Sequence, residues 1–105
     1  MAIQRKVKVT SLEEIRELIE QHRPELKRQF HVEKIGVFGS YARGKQKKRS
    51  DVDFLVTFDE DISLFDHVDL TLYLKELMGR KVDVIQHDNL RLELREYVLK
   101  DLIYL

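Results

Sequence analysis

Residues 51–56 read Asp-Val-Asp-Phe-Leu-Val, with acids at 51 and 53 and apolar residues at 52, 54 and 56. Side chains two apart share a face in a strand, whereas a helix scatters them. A strand from Asp51 to Phe58 therefore turns Val52, Phe54 and Val56 toward a core and stands Asp51 and Asp53 together on the opposite face. The segment Val82-Asp83-Val84 repeats the alternation in a strand from Lys81 to Gln86, with Asp83 in the acidic phase. If the two strands are neighbours, three carboxylates meet on one open sheet surface. This pattern demands a sheet with one buried face, and helices to bury it.

The rest of the chain supplies those parts. Ser11 and Glu14 form a capping box for a helix carrying Leu12, Ile15, Leu18 and Ile19 at helical spacing. Pro24 restricts Arg23, so this helix is expected to end near His22, with a second short helix from Pro24 to about Gln29. A strand is expected from Glu33 to Phe38. The stretch Gly39–Ser50, GSYARGKQKKRS, reads as a basic loop with room for a helical turn after Ser40. Ser63 caps a helix from Leu64 to about Met78, which Gly79 stops. Asp88 is expected to cap a last helix from Leu90 to about Lys100. Residues 101–105 form either its final turn or a short edge strand. The chain is read as one α/β (α+β) domain over residues 1–105, a small mixed sheet with helices packed on one face.

Composition closes several routes. There is no cysteine, which excludes disulfides, zinc–thiolate sites and cysteine nucleophiles. Formal net charge is zero, so any basic patch is local and the whole molecule is no electrostatic magnet for nucleic acid. Residues 1–10 lack the long apolar run of a signal peptide, and no stretch reaches the roughly 20 apolar residues that span a bilayer. A soluble cytoplasmic protein is expected. The four histidines, His22, His31, His67 and His87, show no ligand spacing, and no Walker loop occurs.

Clustered carboxylates repel and raise one another's pKa, a cost that a cation removes. Their hard oxygens suit Mg²⁺, and two such ions can clamp the attacking and leaving oxygens of a phosphoryl displacement. Gly39 permits a tight turn and close approach of a phosphate, and Ser40 offers a hydroxyl and an amide. Arg43 and Arg49 are the loop cations best placed to offset triphosphate charge. For Lys45, Lys47 and Lys48, a solvated loop explains the charge as well. Tyr41 either stacks on a base or packs against the first strand.

Gly39-Ser40, ten residues, then Asp51-Val52-Asp53 resembles the signature of the polymerase-β-like nucleotidyltransferases. The string GVFGSYARGKQKKRSDVDFLV is similar to the minimal nucleotidyltransferases, or MNT proteins, and KVDVIQ supplies their third acid at Asp83. The resemblance runs from about Ile35 to Gln86. It implies a palm-like fold and transfer of a nucleoside monophosphate, usually from ATP, with release of pyrophosphate. It further implies that Asp51 and Asp53 bind both Mg²⁺ ions. Asp83 would bind the catalytic ion and take the proton of the incoming hydroxyl, while Gly39 and Ser40 grip the β- and γ-phosphates. Many MNT proteins act as antitoxins that adenylylate a tyrosine of a HEPN toxin.

Relatives that act on antibiotics or RNA tails hold their acceptors with parts outside this core. A large nucleic-acid acceptor bound by this chain alone is therefore not expected, and a partner protein with its own docking surface is. The expected helix 64–78 is apolar on more than one side, so either the sheet and the last helix bury all of it or one side meets a partner. Three functions follow: an adenylylating antitoxin, an antitoxin that neutralises by binding alone, and a transferase for a small molecule or RNA end working with another subunit.

Overall fold

Helix α1 (Leu12–Phe30) begins where the capping box places it, with the extended Ser11 accepting a hydrogen bond from the Glu14 N–H. The return arm differs. Glu14 Oε1 accepts from the N–H and hydroxyl of Thr10, not from Ser11. The expected break near His22 does not occur, and α1 runs through Pro24 as one helix. Pro24 forfeits one hydrogen bond to the Glu20 carbonyl. Against that loss, Ile15, Ile19 and Leu26 are all buried on one stripe, and a break at His22 would carry Leu26 out of the core. Residues 8–105 are those described in this computed structural model, and the reading of residues 1–7 as no signal peptide lies outside them.

The sheet has the order β3-β2-β1-β4. Strand β1 (Val32–Phe38) pairs antiparallel with β2 (Val52–Phe58), and β2 pairs parallel with β3 (Val82–Gln86) across a connection through α3 (Leu64–Met78). Helix α3 starts at the Ser63 cap and stops at Gly79 as expected, with Gly79 in the left-handed conformation; Asp66 adds the return bond of a capping box, which was not foreseen. The face carrying Ile35, Val37, Val52, Phe54, Val56, Val82 and Val84 is buried with α1 and with Leu70, Leu74, Leu77 and Met78 of α3.

Two expectations at the C-terminal end need correction. Residues 87–89 form a turn of 3₁₀ helix, and α4 (Leu92–Asp101) starts after Arg91, which makes no side-chain cap; Asp88 is not the cap. The extra turn carries Leu90 into a second cluster with Phe38, Leu55 and Val98. That cluster sits on the acidic side of the sheet. The mixed sheet stands as expected, with α1 and α3 on one face, but the chain after β3 departs from the one-face arrangement. The open alternative for residues 101–105 resolves into both parts: Asp101 ends α4, and Ile103–Tyr104 form an edge strand, β4, antiparallel to β1. Gly36 admits it: a Cβ there would lie 2.7 Å from Leu102 Cδ1 and 3.0 Å from the Ile103 carbonyl.

Helix α3 is not fully covered. Leu64 and Phe65 are 75% and 80% exposed, and Val68 and Leu72 continue their stripe. No described helix is long and apolar enough to cross a membrane.

Candidate active site

The acids come from two neighbouring strands in one register. Asp53 of β2 lies opposite Asp83 of the parallel strand β3, and opposite Phe38 of the antiparallel strand β1. Residues paired across neighbouring strands share a face, and the strands lie about 4.8 Å apart. Asp51 precedes β2 on the same side. Asp51 and Asp83 are exposed, while Asp53, between them, is half-buried. Leu55 and Ile85 follow on this face and pack into the second cluster, so the acids stand where the sheet emerges from under it.

The electrostatics bind the three acids into one site. The Asp53 carboxyl is pushed up to about 6, first by burial and then by the charges of Asp83 and Asp51, against a smaller pull from Arg43. Hard oxygen donors with one carboxylate held this far above its ordinary value fit a divalent cation such as Mg²⁺. Among the described residues, only His31, Asp59 and Glu60 bring three potential ligand atoms within 4.8 Å of one another. The three acids share a face at wider spacing.

A pH dependence follows. Between the ordinary carboxylate value and about 6, the folded chain holds a proton on Asp53 that the unfolded chain has released. The unfolded state therefore binds fewer protons, and this group's contribution to stability falls as pH rises through that window. With chelator present, the melting midpoint of the wild type relative to Asp53→Asn is expected to drop between about pH 4 and pH 7. Adding Mg²⁺ is expected to close the difference above pH 6. A flat difference across the window would contradict the shared-site electrostatics.

Gly39 touches this cluster through its backbone. Its φ of 74° and ψ of −151° lie in a region open essentially to glycine alone. A Cβ at this position would collide with Asp53 Oδ2. Ser40 then opens the four-residue helix α2 (Ser40–Arg43), whose first-turn amides have no intrahelical acceptor.

The loop cations divide. Arg43 forms a 2.9 Å ion pair with Asp101 at the end of α4 and also meets Tyr97; Asp101 first, and Tyr97 less, hold its guanidinium even more firmly protonated. Arg43, expected as a candidate to offset triphosphate charge, ties α2 to α4 in the structure and exerts a weaker influence on Asp53. Arg49 is exposed and lines a 280 Å³ surface pocket with Asp51, Lys8, Lys48, Arg80 and Lys81. Lys45, Lys47 and Lys48 are exposed. Tyr41 is buried, and its hydroxyl donates to the Val9 carbonyl at 3.3 Å, which leaves packing and removes base stacking.

Sequence reasoning missed Arg80. Its Nε donates to the Val9 carbonyl at 2.6 Å and its terminal nitrogen to the Lys48 carbonyl at 2.7 Å, anchoring the loop that precedes Asp51. No motif marks it; its position just after the Gly79 helix stop is the one hint that it turns back toward the strands.

Comparison with known proteins bears on this arrangement. A family model described as a nucleotidyltransferase domain matches residues 19–105. The chain is 43% identical over 94 residues to the protein adenylyltransferase MntA of Thermococcus cleftensis, covering 90% of this chain and 95% of that one. A solved structure described as a minimal nucleotidyltransferase superposes with a TM-score of 0.76 at 38% identity, covering 91% of this chain and 97% of the other. The fold is also shared with a chain from the complex of tri-AMPylated Shewanella oneidensis HEPN toxin with MNT antitoxin. That likeness has a TM-score of 0.61 at 20% identity, over 84% of this chain and 69% of that one.

Proposed function

The chain belongs to the nucleotidyltransferase domain family, and we propose that it transfers AMP from ATP to a hydroxyl of a partner protein, a tyrosine of a HEPN toxin, and so acts as an antitoxin. The observation that carries this reading is the register of Asp53 against Asp83, with Asp51 and the Gly39–Ser40 turn beside them. Asp51, Asp53 and Asp83 would hold two Mg²⁺ ions, which supply charge neutralisation at the phosphoryl oxygens when bound. Gly39 lets the Asp53 carboxylate lie against its backbone, and Gly39 and Ser40 would grip the β- and γ-phosphates. Arg49 offsets the charge of departing pyrophosphate. Asp83, exposed on β3, takes the proton of the acceptor hydroxyl as its oxygen bonds to the α-phosphorus and the α–β bridge breaks. We place this activity in the cytoplasm and in a single domain over residues 1–105.

The exposed stripe Leu64, Phe65, Val68 and Leu72 on α3 supports a protein acceptor, since a buried partner surface is the ordinary use of such a patch. It also supports a second reading, in which covering the toxin contributes to neutralisation without catalysis. Labelling tests both. With α-labelled ATP, Mg²⁺ and the HEPN partner, label is expected on a partner tyrosine, with none after chelation. Asp51→Asn is expected to bind the partner without labelling it. Full labelling by that variant, or label on RNA or a small molecule instead of protein, would overturn the proposal.

A further inference from the structure

We propose that His31, Asp59 and Glu60 form a second metal site, for a zinc-type ion, separate from the carboxylates of the transferase centre. His31 ends α1, and Asp59 and Glu60 directly follow β2. They lie 28 and 29 residues from His31 in the chain, so linear spacing conceals the cluster that the antiparallel hairpin creates. The pairing Val32↔Phe58 and a 2.9 Å hydrogen bond from the Asp59 N–H to the His31 carbonyl clip the two segments together.

The donors have the right kind and spacing. His31 Nδ1 is 3.5 Å from Asp59 Oδ1 and 2.9 Å from Glu60 Oε1, and one ligand atom from each residue lies within 4.8 Å of the others. Metal–ligand bonds of about 2.0–2.2 Å in a tetrahedron place ligands about 3.3–3.5 Å apart. The His31–Asp59 separation already has that length, and the carboxylates, both partly exposed, can rotate to complete it. One imidazole and two carboxylates, with solvent at the fourth position, suit Zn²⁺ better than Mg²⁺.

His31 is the one non-glycine residue with positive φ among the described residues, at 58°. The left-handed helix ends of α2 and α3 carry Gly44 and Gly79. Val32↔Phe58 and Phe38↔Asp53 mark opposite ends of the β1–β2 pair. Five residues of β2 at about 3.3 Å each separate the two sites by about 17 Å. An ion here would fasten the end of α1 to the segment leading into α3.

The test is calorimetric titration of Zn²⁺ into the whole protein with Mg²⁺ in excess, alongside thermal melting. The wild type is expected to bind one Zn²⁺ and to melt several degrees higher with it. His31→Gly keeps the left-handed backbone and removes the ligand, so it is expected to stay folded and to lose both the heat and the shift. Glu60→Gln is expected to weaken binding at least tenfold. Absence of Zn²⁺ binding in the wild type, or equal binding and stabilisation in His31→Gly, would overturn the proposal.

Discussion

Asp53→Asn is expected to lower nucleotidyl transfer by about 10³-fold or more while leaving the metal-free fold as stable as the wild type, or more so. The carboxylate is half-buried between two like charges, and no described ion pair compensates it. Asparagine keeps the shape and removes the charge. What is lost is the central anionic donor for the divalent ions, whose transition-state stabilisation is worth several kcal/mol, or about three orders of magnitude in rate. What is gained is relief of repulsion above pH 6. Initial rates of AMP incorporation and melting midpoints with chelator at about pH 8 check both halves. A variant that loses activity only because it unfolds would show a lowered midpoint, contrary to this account.

Gly39→Ala is expected to reduce transfer about 100-fold or more and to destabilise the fold by about 1–3 kcal/mol. Two costs fall on one methyl group. The backbone conformation excludes a side chain, and the added Cβ would strike Asp53 Oδ2. Relief of that clash moves either the Ser40 turn or the carboxylate, and both belong to the proposed site. Ser40→Ala at the neighbouring position meets neither cost and removes one hydroxyl donor. It is expected to lose activity with no more than a small change in melting midpoint. Denaturant unfolding and initial rates for the pair separate the two effects. Equal stability of Gly39→Ala and wild type would contradict the packing argument.

The features that were legible in the sequence are those with short periods. Alternation assigns Val52, Phe54 and Val56 to the core, and the same phase in Val82 and Val84 sets Asp83 on the side of Asp53. The capping residues Ser11, Ser63 and Gly79 mark helix ends by local hydrogen bonding, which a few residues suffice to encode. Pro24 misled because its effect on the residue before it is local, whereas the burial of Leu26 that keeps α1 whole is tertiary. Leu55 held an unused signal. It is an apolar residue in the acidic phase of β2, and it is buried because the chain after β3 returns over that end of the face. Contacts between distant residues were out of reach: Arg43 meets Asp101 across 58 positions, and Arg80 meets Val9 across 71. Both fix parts of the site, and neither leaves a periodic trace.

The most direct measurement is a crystal of the protein soaked with Mn²⁺ and a non-hydrolysable ATP analogue, with data collected for the anomalous signal of manganese. The account predicts anomalous peaks held by Asp51 and Asp53, Asp83 ligating one of them, and the triphosphate seated against Gly39 and Ser40. Manganese bound elsewhere, with the triphosphate away from this turn and the three carboxylates without metal, would contradict it.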